Sequence, residues 1–154
     1  MFGKAGGRRG DSFDLQRFVD AQEDDYAQAL AEIRAGRKMS HWIWYVFPQL
    51  KGLGRSYLAD HYGISGIREA QAYLAHPVLG ARLREIARAT LALDASDPVS
   101  VMGDIDALKL RSCLTLFREA AVDAADRALF QALLDKWYHG EPDRVTLRML
   151  EQRG

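Results

Sequence analysis

Only one stretch of this chain, residues 40–50 (SHWIWYVFPQL), has the aromatic and β-branched content of a buried strand. A single strand leaves its backbone donors and acceptors unpaired, and no second segment offers it a partner. The chain must therefore bury its apolar residues with helices. Residues 40–50 then read as a short buried helix, capped by Ser40 and ended before Pro48.

Periodicity elsewhere agrees. Leu15, Phe18, Val19, Gln22, Tyr26, Leu30 and Ile33 recur at three- and four-residue steps, with Asp24, Asp25, Gln28 and Glu32 facing away. That spacing predicts an amphipathic helix, capped by Asp11 or Ser12 and ended by Gly36. Ser56 opens a short helical piece, Ser65 caps a helix to about Ala75, and Leu79, Leu83, Ile86 and Thr90 form the stripe of the next. Asp97-Pro98 is a cap-then-proline start. Asp104, Asp123 and Asp143 cap the last three helices. With no repeat and no internal linker, residues 11–152 read as one all-α domain of about seven helices, behind a Gly-rich, disordered leader at residues 1–10.

A length of 154 residues suits one domain. Its 21 Lys+Arg and 21 Asp+Glu give a formal net charge of +0, without the broad basic field that sequence-independent nucleic-acid binding uses. The longest apolar run, residues 42–47, falls far short of the roughly 20 residues a membrane span needs. The first residues lack the apolar core of a secretory signal, and the lone Cys113 precludes an internal disulfide. These features point to a reducing, cytoplasmic location. His41, His61, His76 and His139 never stand four apart, and there is no CxxC, GxGxxG, Walker loop or GxSxG. Neither a metal nor a cofactor is expected, and Cys113 on an apolar helix face reads as an inert core thiol.

The chemistry lies where polar residues occupy apolar faces. Gln22 sits mid-stripe between Val19 and Tyr26. Lys109 lies on the stripe of Leu110, Cys113, Leu116 and Phe117, which Asp106 extends toward the helix start. A buried polar group costs about 1–3 kcal/mol unless satisfied, and a buried ammonium costs far more, so each needs a partner, a water or a ligand. Residues 38–49 concentrate Lys38, His41, Trp42, Trp44, Tyr45, Phe47 and Gln49. His41, Lys109 and Asp106 are the candidate catalytic residues, as acid, base or charge stabiliser. Gln22, Lys38, Trp42, Trp44 and Gln49 are the candidate ligand-binding residues, the lysines for an anion and the tryptophans for a stacking ring. Each also has a plain structural reading, with Gln22 as a core amide, the aromatics as core, Asp106 as a first-turn carboxylate and Lys109 as a snorkelling side chain. A nucleotide or ADP-ribose-like anion would meet both chemistries, with enzymatic turnover left open. The alternative is a non-enzymatic interaction domain that presents residues 42–47 as an exposed patch to a partner protein.

The segments KMSHWIWYVFPQLKGLG, AYLAHPVLGARL, DALKLRSCLTLF and LDKWYHGEPDRVTL resemble, in order and spacing, a bacterial family catalogued as domain of unknown function 1810. The resemblance runs from Leu15 to Leu150, with Cys113 where a serine or other small residue is expected. The family often carries a calpastatin-like label, although calpastatin is a disordered, repeat-built chain and this one is repeat-free. The resemblance implies an all-α fold and no established activity, and its motifs include Gln22, His41, Trp42, Asp106 and Lys109.

Overall fold

A computed structural model describes residues 11–153. The leader expected at residues 1–10 lies outside them. Nine helices form among the described residues: α1 (Gln16–Arg34), α2 (Ile43–Val46), α3 (Tyr57–His61), α4 (Ile67–Ala75), α5 (Leu79–Leu91), α6 (Pro98–Met102), α7 (Asp104–Ala120), α8 (Ala124–Tyr138) and α9 (Arg144–Arg153). The all-α expectation holds. The number exceeds the expected seven because α2, α3 and α6, of four or five residues, each close as separate turns.

Helix α7 is the spine. Leu110, Cys113, Leu114, Leu116 and Phe117 are all inaccessible, and α8, α4, α6 and α9 pack around it. Helix α5 bridges α8 to α1, and α2 wedges between α1 and α7. Aromatic edges join the layers, with Tyr73 of α4 against both Phe18 and Phe117. Burying a side chain of this size is worth about 1.5–3 kcal/mol, so this cluster dominates the fold's stabilisation.

Several starts depart from the expected caps. Asp97, Asp123 and Asp143 do cap their helices, through Val99, Ala125 and Thr146 N–H donors at 3.0, 2.8 and 3.2 Å. Neither Asp11 nor Ser12 holds the N-cap position of α1, which falls to Leu15, although the Asp11 carboxylate accepts from the Leu15 and Gln16 N–H groups. Ser40 does not cap α2. Its hydroxyl donates to Glu32 instead, and α2 starts at Trp42 without a side-chain cap. Ser65 donates its own N–H to Glu69 at 2.8 Å, leaving Gly66 at the start of α4. Gly103 rather than Asp104 starts α7. It ends α6 and begins α7 at φ +88°, a left-handed turn that a residue with a Cβ adopts only under strain.

One isolated parallel bridge joins Leu50 to Ile64, a pairing the sequence reading does not anticipate. Ile64 N–H donates to the Gln49 carbonyl at 2.9 Å, and Lys51 N–H to the Ile64 carbonyl at 2.8 Å. Those two bonds fix the backbone at Gln49 and so position its amide.

Candidate functional site

Two tryptophans from the α2 region each carry a lysine, and one carboxylate stands between the lysines. Lys38 Nζ lies 2.7 Å from Asp106 Oδ2 and 4.9 Å from the Trp42 ring centroid, with its side chain 6% exposed. It also donates to the Ser40 carbonyl, while its backbone N–H reaches the Val101 carbonyl at 2.8 Å. Lys38 is thus spent on tying the 35–42 loop to α6 and α7. Lys109 Nζ lies 4.0 Å from Asp106 Oδ1 and 4.8 Å from the Trp44 ring centroid, with its side chain 21% exposed. At 4.0 Å the pair is coulombic without a hydrogen bond, so the ammonium protons stay available. Lys38 and Lys109 share the one carboxylate Asp106, and Asp104 lines the same groove as Asp106 and Lys109.

Lys109 is the junction of three concavities. A groove of about 530 Å³ is lined by His41, Trp44, Met102, Asp104, Asp106 and Lys109. A second of about 370 Å³, lined by Gln49, Leu108, Lys109, Arg111 and Asp143, lies across the same lysine. Between them a cleft of about 10 Å³, room for one water-sized atom, is lined by Trp44, Gln49, Tyr62 and Lys109. Trp44 Nε1 is buried without an acceptor. Gln49, 8% exposed, lines the same cleft. Trp44, Gln49 and Lys109 therefore meet at one cleft, whose other walls include the apolar Ile43, Phe47 and Ala59. A larger depression of about 600 Å³ is lined by the exposed Arg34, Glu85 and Arg88 together with Ala89, Ala92 and Leu93.

Of the residues singled out from sequence, His41, Asp106, Lys109, Trp44 and Gln49 face this region. Gln22 does not. Its amide donates to the Tyr45 carbonyl at 2.7 Å and the Tyr73 hydroxyl at 3.0 Å, and accepts from Arg82 at 3.3 Å. It is a satisfied core amide that joins α1 to α2, α4 and α5. Trp42 is 1% exposed, and its indole donates to Glu32 at 2.9 Å. Ile43, Tyr45, Val46 and Phe47 are buried as well and Trp44 is half-buried, so five of the six residues 42–47 form core rather than the exposed patch an interaction surface would need. Burial pushes the Cys113 thiol well up, which keeps it protonated and unreactive.

Glu32 was expected to face away from the core, yet it is 5% exposed. It accepts from the Met39 and Ser40 N–H groups at 2.8 and 3.0 Å, from Gln28, from the Ser40 hydroxyl and from Trp42. Burial alone would raise its pKa. The bonds from Ser40, Gln28, Met39 and Trp42 outweigh that and hold it at about 2. The groove residues Leu108, Arg111 and Asp143 also escaped the sequence reading. Leu108 looks like one more core leucine until the wheel is compared with the buried set.

The chain belongs to the family described as protein of unknown function (DUF1810), whose model matches residues 12–150. It is similar to the conserved hypothetical protein Rv1873 from Mycobacterium tuberculosis, whose crystal structure superposes with a TM-score of 0.87 at 48% identity. That match covers 92% of this chain and 99% of the other. No curated protein matches the chain. Among the described residues no helix is long and apolar enough to cross a membrane.

Proposed function

We propose that this protein binds an anionic small molecule at Lys109, with one ligand oxygen in the cleft beside Trp44 and Gln49. The observation that carries the reading is the convergence of the Lys109 ammonium, the Gln49 side chain and the unpartnered Trp44 indole on a single water-sized cleft. An oxyanion supplies the acceptor that Trp44 Nε1 lacks and a hydrogen-bonded counter-charge for Lys109. The grooves on either side give the rest of the ligand a place to lie, at volumes typical of small-molecule sites. Lys109 already covers Trp44 at 4.8 Å, so it is charge rather than free stacking that selects the ligand. Nucleotides and ADP-ribose are apt probes, because their phosphates meet the lysine and the groove on the His41 and Trp44 side can take the remainder. His41 and Asp106 beside the ligand form the acid–base pair a transfer or hydrolysis reaction would use, so turnover of any bound probe is measured alongside binding.

The test is thermal melting with phosphate, nucleotides and ADP-ribose, on the wild type and on Lys109→Met. A ligand at 100 times its Kd stabilises by about 2.7 kcal/mol, a shift of several degrees at this size. Lys109→Met keeps the aliphatic stem, so its own stability should change by less than about 1 kcal/mol while the ligand shift disappears. An equal shift in both proteins would remove Lys109 from the site.

A further inference from the structure

We infer that the anion this site takes carries an aliphatic chain, which lies in the groove floored by Leu53, Ile105, Leu108 and Val145. The inference rests on the anion reading of Lys109 and specifies the ligand's other end. Ile105 and Leu108, one turn apart on α7, are 69% and 65% exposed, and Val145 of α9 is 46% exposed. Large aliphatic side chains left this open, and gathered in one concavity, mark a surface that gains by being covered. The same groove ends in charge. Lys109 and Arg111 line it against the single carboxylate Asp143. Asp143 is already engaged by the Ser112 hydroxyl at 3.0 Å and by Thr146. Arg111 is steadied by the Glu141 carbonyl at 2.8 Å, which leaves its terminal nitrogens unused. A positive, donor-rich end joined to an aliphatic floor is complementary to a carboxylate on a hydrocarbon chain. A second nucleotide ring would instead need an uncovered aromatic face, and the groove residues include none.

The experiment is calorimetric titration of the full chain with butanoate, hexanoate and octanoate, with 1-octanol as the neutral control and ADP-ribose as the phosphate control. An open groove covers about half of each methylene, so affinity should rise about twofold per CH₂, or at least tenfold from butanoate to octanoate. Leu108→Ser, at an exposed position that leaves the fold intact, should flatten that series while preserving butanoate binding. Lys109→Met should erase the preference for octanoate over octanol. Carboxylates or ADP-ribose that bind through Lys109 with no dependence on chain length or on Leu108 would overturn the aliphatic inference and leave the anion reading standing. Absence of binding by every anion would overturn both. A concentration-dependent dimer that Leu108→Ser dissociates would assign the groove to a second copy of the chain and overturn the inference.

Discussion

Glu32→Ala is expected to destabilise the protein by about 3–5 kcal/mol, seen as a lower urea midpoint with little change in slope. The substitution leaves the Met39 and Ser40 N–H groups and the Trp42 indole N–H without their acceptor, and each orphaned buried donor costs about 1–3 kcal/mol. It also frees the loop that carries Lys38, so the tie from Lys38 to Asp106 loosens with it. The same carboxylate predicts an acid limb. Its folded pKa of about 2 lies below the ordinary 4.5, so its contribution is complete above pH ~4.5 and is lost as pH falls through about 2. That depression corresponds to about 3 kcal/mol, and Glu32→Gln should remove this part of the acid dependence. A loss below 1 kcal/mol for Glu32→Ala would show that the loop is held by something else.

Gly80→Ala is expected to destabilise by about 3 kcal/mol or more and to lower the melting temperature by roughly 10 °C. Glycine within a helix ordinarily concedes up to about 1 kcal/mol to alanine, so even for Gly80, in the first turn of α5, the usual expectation has the opposite sign. Here the added Cβ would stand 2.1 Å from the Leu74 carbonyl oxygen and 2.9 Å from its carbon. Both are backbone atoms at the end of α4 and cannot rotate away. The Leu74 carbonyl also accepts from Arg84 at 3.0 Å, and Arg84 holds the buried Asp126 at 2.7 and 2.9 Å. Displacing α4 therefore disturbs the α5–α8 ion pair as well. A variant as stable as the wild type would mean that α4 and α5 can separate freely.

Helical spacing made α1, α7 and α8 legible, because each buries one continuous stripe. The parallel bridge at Leu50 and Ile64 was not legible, since two residues carry no period. Glu32 was misplaced for a related reason. A wheel assigns a residue to a face of its own helix, and the chain beyond α1 folds back to cover that face, bringing the donors at residues 39–42. Lys109 was legible because an ammonium at the edge of an apolar stripe conflicts with its neighbours, and the structure places it at the rim, 21% exposed. Gln22 raised the same conflict, but core partners resolved it. Polarity on an apolar face reveals a demand for partners and not where they come from. Leu108 raised no conflict at all, because an exposed leucine and a buried one read alike along a helix.

The indole N–H resonance of Trp44 tests the binding claim most directly. Trp42, Trp44 and Trp137 give three such signals, which single tryptophan substitutions assign. Titration with phosphate, ADP-ribose and octanoate should move the Trp44 signal downfield with at least one of them, as its unpartnered N–H gains an acceptor. The Trp42 signal, already bonded to Glu32, should stay in place, and Lys109→Met should abolish the Trp44 shift. A Trp44 signal that none of the three anions moves, or one that moves equally in Lys109→Met, would contradict an anion site at Lys109.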